Sequence, residues 1–173
     1  MLGMRILRRM WPGLWRDLLL NTLFASALVP VPLRTRLLRL YGLKIGRGVF
    51  VSPTVWFGSK RVSIGDRSFV NYGCRFNTTA PIMIGADCAV GMDVVFATDS
   101  HELGGHDRRA GAGTAAPITV GSGVWIGARA VLLQGVTIGD GAVIAAGAVV
   151  VRDCPGDGLY AGVPAALMRS LQP

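Results

Sequence analysis

The chain has two histidines, His101 and His106, and both lie in one stretch, residues 98–117, that is otherwise rich in Gly, Ala and Arg. Imidazole ionises near neutral pH without help, so a histidine held in one direction is the natural general base for drawing a proton from a hydroxyl or amine. His101 stands near the start of the stretch, one residue beyond Ser100, where the backbone is expected to be anchored. His106 lies further out among Gly, Asp and Arg. Asp93, Asp99 and Glu102 are near enough in sequence to orient the His101 ring, and spacing does not choose among them. The alternative is a surface histidine with no task. Arg108 and Arg109 either clamp an anion or solvate the loop. The three cysteines, Cys74, Cys88 and Cys154, are odd in number and lack metal-ligand spacing, so neither a disulfide framework nor a zinc site is expected, and a reducing cytoplasm is the natural compartment. No Ser or Cys stands beside a base in sequence, which favours chemistry without a covalent enzyme intermediate.

These residues hang on a repeat. From Ile45 onward an aliphatic residue or Phe recurs every sixth position: Ile45, Val51, Phe57; Ile64, Val70, Phe76; Ile84, Val90, Phe96; and, after an interruption, Val120, Ile126, Leu132, Ile138, Ile144 and Val150. Four places after each comes a small or β-branched residue in fourteen of fifteen repeats, Ser100 among them and Arg61 the exception. A period of six fits neither a helix nor a simple strand and is the mark of a hexapeptide parallel β-helix. The large residue fills the interior and the small one fits the corner. Gly or Asn in the place after the large residue is expected to supply left-handed turn angles. The first residues of successive threes, 45, 64, 84, 120 and 138, define five coils with a loop insertion after the third. At about 4.8 Å per coil the prism is roughly 24 Å tall. The cysteines all take the small corner slot as compact buried thiols. The glycines at 121, 127 and 139 are turn residues rather than a dinucleotide loop, since no helix follows them.

Composition agrees with one all-β domain. The chain has 173 residues, is 51% hydrophobic and 16% charged, and lacks any run of about 20 residues free of charge, Pro or Gly clusters. Three parts are expected: a basic helical segment at 1–43, the β-helix at 44–157 with its loop at 98–117, and a capping segment at 158–173. Residues 1–44 hold eight Lys and Arg against one acid, Asp17. Such a segment contacts anionic lipid or a partner, or is a solvated face; nucleic acid is disfavoured because no nucleic-acid motif accompanies the charge. The run Leu18 to Val29 with Ala25-Ser26-Ala27 also imitates a secretory signal. The simpler account is two short helices broken at Pro30-Val31-Pro32, with apolar faces Leu18, Leu19, Thr22, Leu23, Ser26, Ala27 and Leu33, Leu37, Leu38, Tyr41.

Residues 44–170 resemble the hexapeptide-repeat acyltransferases, particularly the maltose, galactoside and colanic-acid-type O-acetyltransferases. The resemblance is carried by the segments Phe69 to Cys74, Thr98 to His101, Pro117 to Gly127, Gly135 to Asp140, Ala145 to Val149 and Tyr160 to Pro164. It implies a left-handed β-helix that forms a homotrimer, with each site between neighbouring subunits and acetyl-CoA as acyl donor. It also implies that His101 is the catalytic base, that Asn71 contacts acceptor and donor, and that Trp125 lies near the donor. Gly127, Ala128, Ala146, Val151, Arg152 and Arg169 then fall along the donor groove. Asp17 is the only acid available in the N-terminal region for the family's acidic acceptor contact.

The implied reaction is transfer of an acetyl group to a hydroxyl of a sugar or glycosylated metabolite, with a backbone N–H near Gly127 or Ala146 holding the oxyanion. An amine acceptor is the alternative within the enzyme class. Two further classes compete: a metal enzyme like the β-helical carbonic anhydrases, which need three zinc histidines where this chain has two, and a non-enzymatic scaffold, which leaves the histidine loop without a purpose.

Overall fold

The computed structural model describes residues 13–172. A left-handed parallel β-helix has three flat faces. The first stacks Lys44–Ile45, Val62–Ile64, Ile82–Ile84, Ile118–Val120 and Thr137–Ile138. The second stacks Phe50–Val51, Phe69–Val70, Ala89–Val90, Trp125–Ile126, Val143–Ile144 and Gly158–Ala161. The third stacks Trp56–Phe57, Arg75–Asn77, Val95–Ala97, Val131–Leu132 and Val149–Val150. Five full coils result, and Cys154, bridged to Ile138, opens a partial sixth that ends in an antiparallel pairing of Gly158–Ala161 with Ala166–Ser170.

All fifteen large positions of the repeat are buried. In-register pairing stacks like on like: Ile45, Ile64, Ile84, Val120 and Ile138 rise up one face, and Phe57, Phe76 and Phe96 stack ring on ring at 5.0 and 4.6 Å up another. Each coil therefore buries its apolar edge only against its neighbours, which is why the period must be kept coil after coil. The turn chemistry differs from expectation in one respect. Left-handed angles fall three places after the large residue, at Gly48, Thr54, Arg67, Gly73, Asp87, Asp93, Gly123, Arg129, Gly135, Gly141 and Gly147, not in the next place. Glycine in that next place has another cause. A Cβ on Gly65, Gly85, Gly91 or Gly127 would run into the backbone of the coil above.

The N-terminal segment closes the lower end. Leu14–Arg16 is a helical turn that continues as Asp17–Phe24, together α1, and Val31–Tyr41 is α2. Pro30 precedes α2 and Pro32 lies in its first turn, where a missing N–H costs nothing. Asp17–Phe24 is π-wound, with Thr22 Oγ1 donating to the Asp17 carbonyl at 2.9 Å. That wider winding turns the expected apolar face outward: Leu18, Thr22 and Leu23 are exposed, whereas Leu20 is buried. On α2, Leu38 is buried and Leu33 exposed.

The first coil has no strand beneath it, so its downward backbone groups form an open edge. The cap fills that edge on all three faces. On the first face the Arg39 guanidinium donates to the Ile45 carbonyl (2.9 Å) and to that of Gly46. On the second, Arg34 donates to the Val51 carbonyl (2.9 Å). On the third, Asn21 acts like a strand residue: its Oδ1 accepts from the Phe57 N–H (2.9 Å) and its Nδ2 donates to the Phe57 carbonyl (3.2 Å). Arg34 is only 2% exposed and also donates to the carbonyls of Phe24 (2.8 Å), Ser26 (2.7 Å) and Val29 (2.7 Å), which locks the turn between the helices. Arg34 and Arg39 therefore both serve the fold, Arg34 from a buried position and Arg39 from an exposed one. Arg5, Arg8 and Arg9 lie outside the described residues. Among the described residues no helix is long and apolar enough to cross a membrane.

Candidate active site

The interruption after the third coil is a two-stranded antiparallel arm, Asp99–Leu103 against Ala110–Ala115. The chain leaves the prism earlier than the repeat predicts. Thr98 is fully buried and Ser100, expected in the corner slot, is exposed and paired with Thr114. The Thr98 hydroxyl explains the early exit: it donates to the Asn77 carbonyl (2.9 Å) and accepts from the Ala80 N–H (3.0 Å), pinning the base of the arm to the coil below. Asp99 adds a second tie, accepting from Asn77 Nδ2 (2.6 Å) and Thr79 Oγ1 (3.0 Å). The returning strand is tied to the fourth coil by Gln134 Nε2, which donates to Thr114 Oγ1 at 3.0 Å.

His101 sits two residues beyond that anchor, paired with Gly113 across the arm. Its Nδ1 lies 3.0 Å from the Gly111 carbonyl oxygen. A carbonyl can only accept, so this bond requires the proton on Nδ1 and leaves the Nε2 lone pair free. None of the three carboxylates considered from the sequence orients the ring: Asp99 is committed to Asn77 and Thr79, Asp93 faces Arg129 at 3.9 Å, and the task falls to a backbone oxygen. The pairing register shifts at Glu102, between His101 and Leu103, and no sequence signal foretells which carbonyl this brings to the imidazole. His106 is at the arm's tip, highly exposed, with Nε2 3.1 Å from Asp107.

Asn71, Gly127, Ala128 and Ala146 occupy the corner between the second and third faces, Asn71 on the second coil, Gly127 and Ala128 on the fourth and Ala146 on the fifth. Asn71 Oδ1 accepts from the Tyr72 N–H (2.9 Å), and its amide nitrogen has no hydrogen-bond partner among the described residues. The Gly127 N–H donates to the Ile144 carbonyl (2.7 Å), so it is spent on the coil ladder, whereas the N–H groups of Ala128 and Ala146 have no partner among the described residues. Each of those two nitrogens lies directly over a glycine, Gly91 and Gly127, in contact too close for any Cβ. Trp125 stands 60% exposed on the second face, flanked by Ala89 and Val143. Val151 and Arg152 are exposed at the opposite corner, between the third and first faces, which is also where the arm leaves. Arg169 is exposed on the terminal strand opposite Leu159. Asp17 is apart from all of these, its carboxylate held by Arg16 (2.7 and 2.9 Å) and Asn21 (2.9 Å) and its pKa lowered chiefly by the Arg16 hydrogen bonds.

The thiols are core groups. Cys74 Sγ donates to the Gly91 carbonyl (3.1 Å) and Cys88 Sγ to that of Gly121 (3.0 Å), and burial pushes the Cys74 pKa up to about 11. A thiol so hard to ionise is a poor nucleophile at neutral pH. Among the described residues no three His, Cys, Asp or Glu side chains come together as a metal site.

Residues 117–152 match the family model described as bacterial transferase hexapeptide (six repeats). A hexapeptide-repeat acetyltransferase of Vibrio cholerae, solved with acetyl-coenzyme A, is 35% identical and superposes with a TM-score of 0.79 over 87% of this chain and 83% of that one. The chain belongs to the hexapeptide-repeat acetyltransferases. Within that family, the maltose O-acetyltransferase of Clostridium difficile superposes with a TM-score of 0.82 at 28% identity, covering 89% of this chain and 83% of that one. The galactoside O-acetyltransferase of Escherichia coli is 32% identical over 128 residues, 73% of this hexapeptide-repeat chain and 63% of the relative's own length.

Proposed function

We propose that this chain transfers the acetyl group of acetyl-CoA to a hydroxyl of a sugar or glycosylated metabolite, with His101 as general base, in a cleft shared by two copies of a homotrimer. The observation that carries the reading is the Nδ1 bond of His101 to the Gly111 carbonyl. It presents Nε2 as a base in fixed direction on an arm tied to the prism at Thr98, Asp99 and Thr114. Nε2 takes the acceptor's hydroxyl proton as the oxygen attacks the thioester carbonyl. The tetrahedral oxyanion collapses, the C–S bond breaks, and the imidazolium returns its proton to the leaving CoA thiolate. The high pKa of Cys74 supports direct attack rather than an acyl-enzyme.

Two features support a shared site. The arm and the column Asn71, Ala128, Ala146 stand at opposite edges of the third face, roughly 15–20 Å apart at six residues per face. His101 and Trp125 are both exposed in the single chain. In an assembly, the arm of one copy meets the column of its neighbour. Acetyl-CoA then runs along that column, where the open N–H groups of Ala128 and Ala146 serve its amide and thioester oxygens and Arg169 serves its phosphates, while Arg152, on the same corner as the arm, reaches them from the neighbouring copy. Asp17 has the least support as an acceptor contact, because its oxygens are already taken by Arg16 and Asn21. Purified protein incubated with labelled acetyl-CoA and a panel of sugars and glycosylated metabolites tests the reading. Mass spectrometry is expected to find one acetyl added to an acceptor hydroxyl, and transfer that persists undiminished in His101→Ala overturns the assignment.

A further inference from the structure

The closed end of the prism carries two features that neither the fold nor the acetyl-transfer reading uses. The first is an apolar surface on the outer side of the cap. Trp15, Leu18 and Leu23 on α1 and Leu33 and Leu40 on α2 are exposed, and Leu28 is thrust out at the tip of the turn between them. Leu28 is 92% and Leu40 84% exposed. Leu33 and Leu40 are seven residues apart on one helix face, the face opposite buried Arg34 and Leu38. The turn that presents Leu28 is rigid: the Leu28 N–H donates to Ser26 Oγ (3.2 Å), the Val29 N–H to the Ser26 carbonyl (3.1 Å), and Arg34 clamps the same carbonyl from below. A soluble fold gains nothing by holding leucines out in water on a braced turn.

The second feature is charge. Among the described residues, 13–65 contain eight Lys and Arg, two of them (Arg34 and Arg39) engaged by the first coil, and a single acid, Asp17, which Arg16 neutralises at 2.7 Å. Residues 66–172 carry seven basic side chains against nine acidic ones, so among the described residues the basic excess lies at the closed end. Beside the end of α2, a cleft of about 410 Å³ is lined by Gly42, Lys44, Lys60, Arg61 and an apolar floor that includes Ile82 and Met83. Lys44, Lys60 and Arg61 are exposed, no acid lines the cleft, and none of the three forms an ion pair with a described residue.

We propose that this end of the prism docks on anionic phospholipid bilayers, with the leucines and Trp15 entering the headgroup boundary and the cleft cations meeting lipid phosphates. Apolar side chains rimmed by unpaired cations are complementary to a surface that is apolar beneath and negative above. Tryptophan with its amphipathic ring suits the interface between the two. A protein partner or a second copy would supply acids to Lys44, Lys60 and Arg61 only by its own design, whereas an anionic bilayer supplies phosphate everywhere. Docking would hold the acyltransferase site at the height of the third and fourth coils above the surface, within reach of acceptors that are themselves bound to the membrane.

The test uses the full chain and sucrose-loaded vesicles of phosphatidylcholine alone or with one third phosphatidylglycerol, read by sedimentation. Binding to the mixed vesicles is expected to exceed binding to neutral ones by tenfold or more, and to fall steeply with added salt. Leu28→Ser with Leu40→Ser is expected to weaken it about tenfold while leaving thermal stability unchanged, and Lys44→Gln with Lys60→Gln to remove most of the preference for anionic lipid. Equal sedimentation with both vesicle types, or binding that both double variants retain, overturns the proposal. So does an absence of vesicle binding accompanied by self-association that the leucine variant abolishes, which assigns the face to a second copy. These readouts are independent of acetyl transfer, so the docking face and the active-site assignment stand or fall separately.

Discussion

Replacing Arg34 by Met keeps an unbranched apolar stem and removes five donors from beneath the prism. Four carbonyls lose a charged partner: Val51 on the edge of the first coil, and Phe24, Ser26 and Val29 around the turn. The Val51 oxygen is fully enclosed, so it bears the desolvation cost of about 1–3 kcal/mol for an unmet buried acceptor. The other three are partly accessible, and Ser26 keeps a bond from the Val29 N–H, so water recovers much of their loss. Together these give about 3–5 kcal/mol, from one acceptor left wholly unmet and three that water meets only in part. For a chain of this size that is a fall in Tm of roughly 6–20 °C. The loss should also be local, because each coil leans only on its neighbours. Hydrogen exchange is expected to accelerate first at the N–H groups of Phe50, Ser52 and Thr54, while those of the fourth and fifth coils stay protected. Arg34→Lys should recover less than half, since a single ammonium cannot reach carbonyls spread along a planar fork. A Met variant within about 1 kcal/mol of the parent, with unchanged exchange in the first coil, would refute the clamp.

His101→Ala should lower turnover by about 10²–10⁴ while acetyl-CoA affinity, measured by calorimetry, is retained. If the site is shared, coexpressed His101→Ala and Asn71→Ala chains should regain activity in about one site in four for random mixing, and no recovery would place both residues' work within one chain. Thr98→Val strips the anchor from Asn77 and Ala80 and should cost about 1–3 kcal/mol in denaturant melts while lowering turnover through a loosened arm. The Cys74 thiol, with a pKa raised by burial to about 11, binds its proton more tightly folded than unfolded; its contribution is complete below the ordinary thiol pKa and declines as pH rises from about 9 towards 11. Stability measured across that range should fall less in Cys74→Ala than in the parent.

The β-helix is legible because its core is positional: Val51, Val70, Val90, Ile126 and Ile144 recur at one phase and end in one buried column. The candidate base is legible for a different reason, since His101 is one of two histidines and lies at the break in that phase. What the letters hide are the contacts between backbone and side chain across levels. Gly111 orients His101 only through the pairing register of the arm, and Thr98 ends the third coil early because its hydroxyl reaches Asn77 and Ala80. The helices were readable as helices, but the π-winding of Asp17–Phe24 shifted which leucines face the prism. Arg34 looks like any cation in a basic run, and only the edge it covers distinguishes it.

A stack of coils has no built-in length, since every added level presents the same rows of donors and acceptors to the next. Here Arg39, Arg34 and Asn21 take the place of a missing level, one on each side of the triangle. Shorn of them, the lowest rung becomes a template for the ends of other chains. The helical plug thus acts as a terminator of polymer growth, and shortened forms that begin near Lys44 should assemble end to end into fibres rather than remain as separate particles.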